Sequence, residues 1–337
     1  MAERAEKYLV VRLTSLGDVL HTLPAVAALR AGKRAAQIDW VVERRWAPVL
    51  EGSPALDHVI AFDRRDPARI FSCVKRLREM NYSCAVDFQG LFKSSLLALL
   101  SGAPRRIGFE RGWAREGSAA IWYTERVVPS GQHVTEMNYA LAERAGGVVP
   151  IIPQYPLRIP AGGVASVRAR LQNQNVTEYI AIGPGGSWRA KCWPADRFGA
   201  LCRELEKRYG MRCLVLCGPG EESLAAEVCR AAEPAKPLIF STSLEELMAV
   251  LARARCVVAV DSGPLHLAAA LGAFVVGLYG PTDPARNGPF VPHAVIVREA
   301  LPGETSYRRR DSYSPAMLRI SVEQVVAAVE RRLGLAS

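Results

Sequence analysis

Short apolar runs, many of them rich in β-branched residues, alternate along the chain with longer segments whose apolar residues recur at helical spacing. In the first half, the runs that predict strands are residues 8–13, 38–43, 59–62 and 85–88, and the segments that predict helices are 19–30, 68–80 and 92–100. In the second half, the predicted strands are residues 179–182, 213–217, 238–240, 257–260 and 274–278. Strands that alternate with helices predict βαβ units and parallel sheets, so the predicted fold class is α/β.

The pattern is interrupted once, by a proline-rich stretch at residues 148–163. Prolines there remove backbone donors and fix φ, which is typical of an interdomain linker. A chain of 337 residues is also too long for one ordinary core. We therefore predict an N-terminal domain over 1–155, a C-terminal domain over 156–320, and a terminal helical segment over 321–337 that packs back on the N-terminal domain.

Composition narrows the class of protein. Half the residues are apolar, no run approaches the roughly 18 apolar residues of a membrane span, and the N-terminus lacks a signal-peptide pattern. The eight cysteines include no C-x-x-C pair, which favours buried free thiols. These features predict a cytoplasmic protein. The net charge of +10 is spread along the chain without a basic arm or interleaved aromatics, so nucleic acid is the weaker choice of partner.

Chemistry-bearing residues follow the predicted strands. After the first strand comes the sequence TSLGD, with Asp18 at a helix start and His21 one turn later. Asp18 fits two roles, a helix-capping acid or a general base whose ionised form is favoured by the helix N-terminus. His21 is either a second candidate base or a core residue between leucines. A further polar cluster, Gln89 to Lys93, follows the fourth strand.

The second half carries three such turns, each after a predicted strand. They are GPGGS, with Gly185, Gly186 and Ser187; CGPGEE, with Glu221 and Glu222; and DSGPLH, with Asp261, Ser262, Gly263 and His266. Glycines allow the backbone to approach a phosphate, and Lys191 after the first turn supplies a point charge. Neither the P-loop spacing nor G-x-G-x-x-G is present. Together the turns favour a nucleotide or nucleotide-sugar site, with no acidic pair at metal-binding spacing.

The strings RLTSLGDVLHTLPAVAALR, DFQGLFKS, KCWP, DSGPLHLAAALG and GLYGPTDP, in this order, resemble the lipopolysaccharide heptosyltransferases, in the form closest to heptosyltransferase I. The resemblance covers nearly the whole chain. It implies a GT-B type glycosyltransferase: two Rossmann-like domains with parallel sheets that face each other across a cleft. The acceptor would bind the N-terminal domain and ADP-heptose the C-terminal one, with inversion at the anomeric carbon and without a metal or other cofactor.

The resemblance also implies roles for individual residues. Asp18 matches the general base, Lys191 the lysine that contacts donor phosphate, Glu222 the glutamate that contacts ribose, and Asp261 the aspartate that contacts the sugar. The adjacent Glu221 leaves the ribose assignment open. The remaining donor-binding candidates are Gly185, Gly186, Ser187, Ser262, Gly263 and His266. The acceptor-binding candidates are Ser15, Gly17, His21, Arg64, Arg65, Gln89, Lys93 and Arg105.

The implied function is transfer of heptose from ADP-heptose to Kdo-lipid A in synthesis of the lipopolysaccharide inner core. The basic residues would hold the enzyme peripherally at the anionic inner face of the cytoplasmic membrane. The alternatives are a later heptose step, another nucleotide sugar, a nucleotide-dependent oxidoreductase, or a catalytically silent binding protein. Two departures from the family pattern are Gly186-Ser187 in place of small hydroxyl residues and a basic segment at 308–310.

Overall fold

Two six-stranded parallel sheets organise residues 6–334, the part of the chain that the computed structural model describes. These residues divide into two units, the first ending at Arg158 and the second beginning at Ile159. The division falls inside the proline-rich stretch, three residues beyond the position expected from the sequence. Among residues 6–334, no helix has both the length and the apolar character that crossing a membrane requires.

The sheet of the first unit has the order β3-β2-β1-β4-β5-β6, and every neighbouring pair is parallel. Its strands are β1 (Lys7–Val11), β2 (Gln37–Glu43), β3 (His58–Phe62), β4 (Cys84–Asp87), β5 (Arg105–Phe109) and β6 (Glu125–Val127). Its helices are α1 (Leu16–Gly32), α2 (Ala47–Leu50), α3 (Pro67–Glu79), α4 (Phe92–Leu100) and α5 (Val134–Arg144). Short 3-10 turns occupy Arg44–Trp46 and Gly117–Trp122.

The second unit repeats this topology, because its order β12-β11-β10-β7-β8-β9 is the same arrangement counted from the other edge. Its strands are β7 (Tyr179–Gly183), β8 (Arg212–Cys217), β9 (Leu238–Ser241), β10 (Cys256–Val260), β11 (Val275–Tyr279) and β12 (Val295–Arg298). Its helices are α6 (Ala161–Asn173), α7 (Ala195–Tyr209), α8 (Glu222–Ala231), α9 (Leu244–Arg253), α10 (Gly263–Ala270), α11 (Pro284–Asn287), α12 (Pro315–Arg319) and α13 (Val322–Leu333). A 3-10 turn covers Arg189–Lys191.

Both sheets have the strand order of the doubly wound dinucleotide-binding fold. In such a sheet the chain leaves in opposite directions from two adjacent central strands, and a crevice opens outside their carboxyl ends. This topological switch point, at which the strand order reverses, lies between β1 and β4 in the first unit, where Val11 pairs with Asp87. It lies between β7 and β10 in the second, where Gly183 pairs with Ala259. These two places are where ligands are expected.

Strands β5, β6 and β12 were missed by the sequence pattern. β5 opens with two arginines, and β6 is three residues long at a sheet edge, so neither presents an apolar run. The last helix, α13, packs on the sheet of its own unit. Val325, Val326 and Val329 are fully or almost fully buried in the core formed by β10, β11 and α7, because they form one apolar stripe.

Candidate functional site

Asp18 lies in the first turn of α1, directly beyond the carboxyl end of β1. Its Oδ2 accepts hydrogen bonds from the Ser15 backbone N–H at 2.9 Å and from the Ser15 hydroxyl at 3.0 Å. Its Oδ1 lies 2.8 Å from Nη2 of Arg12, and the side chain keeps 29% of its surface exposed. Gly17, the residue before Asp18, is half-buried in the same turn. The carboxylate is thus fixed in direction yet open to a ligand, and it also stabilises the helix start.

Electrostatics keep Asp18 ionised. Partial burial alone would raise its pKa, but the Arg12 guanidinium and the Ser15 hydrogen bonds outweigh that effect and hold the pKa at about 2. A general base works best when its pKa is near the working pH. The basicity of Asp18 therefore depends on Arg12, and an anion that draws the guanidinium away would raise the pKa of Asp18.

A buried carboxylate that the sequence did not reveal as a site residue, Asp87, ends β4 beside this loop. It is fully buried and accepts four hydrogen bonds, and burial raises its pKa despite them. The donors are the backbone N–H groups of Gln89 at 2.8 Å and Gly90 at 3.3 Å, the Ser94 hydroxyl at 2.8 Å and the Tyr123 hydroxyl at 2.7 Å. Asp87 thereby holds the turn that carries Gln89.

Gln89 connects that turn to the Asp18 loop. Its Oε1 accepts from the Leu13 backbone N–H at 2.6 Å and from that of Thr14 at 3.4 Å. The amide is almost completely buried, at 3% exposure, so it positions the backbone between β1 and Ser15. The sequence expected Gln89 to contact the acceptor; the structure places it beneath the loop as a support.

His21 lies in the core, in contrast to the exposed position that its expected acceptor-binding role would need. Its ring is 5% exposed, lies 5.2 Å from the ring of His133 in an edge-on contact, and has Nδ1 3.4 Å from the Thr135 hydroxyl. Both partners belong to the start of α5, which packs on α1. Of the two roles that the sequence left open for His21, packing is the one observed.

The basic residues predicted to bind the acceptor lie at opposite ends of the strands. Arg64 is exposed beyond the carboxyl end of β3, with Nε 3.5 Å from Oε1 of Glu43. It and the adjacent Arg65 therefore lie, like Asp18, at the carboxyl ends of the strands. Lys93 is exposed in the first turn of α4 at the same edge. Arg105 begins β5 and therefore lies at the opposite edge, where its Nε is 2.7 Å from Glu125. Parallel strands exclude Arg105 from the site predicted for it.

In the second unit, a buried ion pair lies at the switch between β7 and β10. Nζ of Lys191 is 2.5 Å from Oδ2 of Asp261, and both side chains are at most 10% exposed. Asp261 also accepts from Nε2 of His266 at 3.2 Å and from the Thr282 hydroxyl at 2.8 Å. Burial alone would raise the pKa of Asp261, but His266 and Lys191 bring it well below the ordinary range. His266, at 6% exposure, lies behind Asp261 and orients it.

The glycine turn after β7 lies against Glu221. A Cβ on Gly185 would lie 2.0 Å from Oε1 of Glu221, so a larger residue at that position would displace the Glu221 carboxylate. Oε2 of Glu221 accepts from the Gly218 N–H at 3.0 Å, which fixes the carboxylate beside the turn. Glu222 is exposed in the first turn of α8. Of the two glutamates that the sequence left open, the structure brings Glu221 to the glycine turn.

The remaining donor candidates line the same edge. Gly186 is half-buried and Ser187 is exposed in the turn, and Ser262 and Gly263 begin α10 directly after Asp261. The Ser262 hydroxyl is buried and makes no hydrogen bond to another described residue. Backbone N–H groups at a helix start and a nearby lysine form a site for an anion. No group of three His, Cys, Asp or Glu side chains in residues 6–334 is arranged as a metal site.

Comparison with known proteins agrees with this geometry. Residues 70–317 match the model of glycosyltransferase family 9 (heptosyltransferase). Lipopolysaccharide heptosyltransferase 1 of Pseudomonas aeruginosa is 31% identical over 92% of this chain and 88% of that protein, and lipopolysaccharide heptosyltransferase 3 of Escherichia coli is 25% identical over 94% and 95%.

Two solved structures share the fold over nearly their full length. The glycosyl transferase family 9 protein from Veillonella parvula superposes with a TM-score of 0.84 at 22% identity, over 100% of this chain and 99% of that one. The E. coli heptosyltransferase WaaC with ADP superposes with a TM-score of 0.77 at 28% identity, over 97% and 99%. The predicted fold class, GT-B type with two Rossmann-like domains, is confirmed.

Proposed function

The chain belongs to glycosyltransferase family 9, the heptosyltransferases, and we propose that it transfers heptose from ADP-heptose to a Kdo-lipid A acceptor with inversion at the anomeric carbon. The observation that carries this proposal is the pair of polar sites at equivalent switch points of the two sheets. One holds an oriented, solvent-accessible carboxylate, and the other holds a lysine beside a glycine turn and a helix start. The first suits proton abstraction and the second suits a nucleoside diphosphate.

In this proposal, Asp18 abstracts the proton. The carboxylate takes the proton of an acceptor hydroxyl, and the resulting oxygen nucleophile forms a bond to the anomeric carbon while the bond to ADP breaks. Ser15 occupies Oδ2 and Arg12 occupies one position on Oδ1, which leaves a lone pair of Oδ1 for the incoming hydroxyl. An anionic acceptor that attracts Arg12 would raise the pKa of Asp18 as it binds.

The donor diphosphate is assigned to the second unit. Lys191 and the backbone N–H groups at the start of α10 would balance the charge that develops on the leaving ADP. The Gly185 turn would admit the phosphates, and Asp261 would orient both Lys191 and the sugar. Because these groups supply positive charge themselves, we propose a transfer that needs no metal ion or other cofactor.

The acceptor would meet the exposed basic residues of the first unit. Arg64 and Arg65 lie at the sheet edge of Asp18 and suit phosphates and carboxylates, and Lys93 adds a third cation there. Ser15 and Gly17 line the turn that presents the base. The same cations would hold the enzyme peripherally at the anionic inner face of the cytoplasmic membrane.

A related step remains the alternative, since the similar proteins include both heptosyltransferase 1 and heptosyltransferase 3. Turnover of purified protein should be measured with ADP-heptose against other nucleotide sugars, and with Kdo-lipid A against an acceptor that already carries heptose. The proposal expects product only from ADP-heptose and Kdo-lipid A, with inverted anomeric configuration by NMR and unchanged rates in EDTA. Product from the heptosylated acceptor alone would assign a later step, and a rate that EDTA abolishes and magnesium restores would refute metal independence.

Binding of the donor is tested separately. Lys191→Ala should weaken ADP binding at least tenfold, roughly the effect of losing a charged phosphate contact. Lys207→Ala is the matched control, because Lys207 is exposed on α7. Equal affinities of the two variants, measured by calorimetry, would remove Lys191 from the phosphate site.

A further inference from the structure

The segment between β12 and α12 carries three consecutive arginines and forms neither helix nor strand. We call residues 301–314 the arginine strap. Its first part is fixed to the second unit, because the Ser306 N–H donates to the Pro281 carbonyl at 2.7 Å and Nη2 of Arg298 donates to the Thr305 hydroxyl at 2.8 Å. Hydrogen bonds therefore fix the first part of the strap to the second unit, although the arginines of the strap are exposed.

The later part of the strap lies on the turn that contains Lys191. The Arg310 carbonyl accepts from the Ala190 N–H at 3.3 Å, and the guanidinium of Arg189 lies over the ring of Tyr313 at 4.2 Å. These contacts join the strap to the 3-10 turn that follows the glycine loop. Arginines 308–310 are consequently placed beside the proposed phosphate site.

Arg309 lies near an aromatic ring at this site. The guanidinium of Arg309 lies 5.8 Å from the centroid of the Trp188 ring, and Nζ of Lys191 lies 4.2 Å from the same centroid. A cation within about 6 Å of an indole is attracted by the ring quadrupole. The ring thus holds two cations near one another. In contrast, the side chain of Arg308 makes no ion pair or ring contact within the described residues.

The charge at the site shows why a second cation is useful. Lys191 is already paired with Asp261, so part of its positive charge is balanced before a diphosphate binds. Arg309 makes no ion pair within residues 6–334, and a guanidinium presents planar donors that match phosphate oxygens. We propose that Arg309, seated on Trp188, binds the diphosphate of the nucleotide sugar. This inference rests on the proposed function and adds to it a phosphate contact from outside the glycine loop.

Calorimetry with ADP and with adenosine tests the assignment on the full chain. Arg309→Gln should weaken ADP binding about tenfold, because it removes a charged phosphate contact at an exposed position, and should leave adenosine binding unchanged. Arg308→Gln is the matched control: it removes the same charge from the adjacent position and should alter ADP affinity by less than about twofold. Trp188→Phe should retain most of the affinity, since phenylalanine keeps an aromatic face.

The outcomes distinguish the possible sources of phosphate. Equal weakening of ADP binding by Arg308→Gln and Arg309→Gln would overturn the proposal. It would mean that the overall positive charge of the segment, and not a contact from Arg309, attracts the diphosphate. Unchanged ADP affinity in Arg309→Gln with an increased KM for Kdo-lipid A would assign the arginine to the acceptor phosphates and refute the donor contact. If the unaltered protein binds no ADP, the proposed function itself fails and this inference with it. If it binds ADP and Arg309→Gln binds equally well, only this inference fails.

Discussion

Replacement of Asp18 by asparagine separates its two roles. The amide side chain of Asp18→Asn would keep an oxygen that accepts from the Ser15 N–H, so the start of α1 would be retained. An amide cannot take a proton from a sugar hydroxyl at neutral pH. A purely structural Asp18 predicts an active variant, whereas a general base predicts a folded and nearly inactive one.

The structure sets the size of each effect. The pKa of Asp18 falls from its ordinary 3.8 to about 2, and each unit of pKa corresponds to about 1.36 kcal/mol, so the charged form stabilises the fold by at most about 2.5 kcal/mol. For a unit of this size the loss would lower Tm by roughly 5–10 °C at most. Loss of a general base lowers kcat by roughly 10²- to 10⁴-fold, or about 3–5 kcal/mol. The expected loss of activity thus exceeds the loss of stability.

The assay compares kcat, Tm and ADP affinity in Asp18→Asn and in Glu136→Gln. Glu136 is the matched control, because its carboxylate accepts from the His133 N–H at 2.9 Å in the capping box of α5 and has no role in the proposed reaction. We expect Glu136→Gln to retain activity, and both variants to bind ADP normally, since donor binding is assigned to the second unit. A kcat for Asp18→Asn within a few fold of the unaltered enzyme would refute the assignment of Asp18 as the base.

Two further predictions concern the buried networks. Gln89→Leu removes the acceptor for the Leu13 N–H and should lower kcat roughly tenfold without changing ADP affinity, whereas Gln89→Glu keeps an acceptor oxygen and should lose less; equal rates for both variants would contradict this positioning role. The pKa of Asp261 is lowered in the folded state, so its stabilisation is complete above about pH 4 and is lost as pH falls further. Denaturant midpoints at pH 7, 4 and 3 should therefore fall less steeply for Asp261→Asn than for the unaltered protein, and parallel curves would contradict it.

Much of the fold could be predicted from local pattern. Buried parallel strands are continuous apolar runs, which is why β1, β2, β4, β7, β8 and β10 were all identified. Two of the three missed strands, β6 and β12, lie at the edges of their sheets, and β5 and β6 begin with charged residues. The terminal helical segment predicted over 321–337 contains the helix α13 at Val322–Leu333, which begins after a Ser321 cap and ends at Gly334. Which sheet it packs on is not a local property.

The candidate site divides in the same way. Asp18, Lys191 and Asp261 were candidates because each follows a strand in a turn, and parallel strands place such turns at the carboxyl ends of the strands in their own sheet. Arg105 was misplaced, because a basic pair does not reveal whether it begins or ends an unrecognised strand. The sequence left two roles open for His21 and left the choice between Glu221 and Glu222 open, because helical phase against a neighbouring element, and not residue type, decides which side chain is buried and which faces the loop.

The sequence by itself thus determined the α/β class, the repeated architecture, the family, and the turns that carry the candidate site residues. Only the tertiary structure showed that Arg12 controls the pKa of Asp18, that Asp87 and Gln89 hold its loop, and that Lys191 is paired with Asp261. The physical reason is the separation along the chain over which each effect acts. Hydrophobic periodicity and turn chemistry act over a few residues, whereas the pKa of a carboxylate depends on charges and donors contributed by other elements of the folded chain.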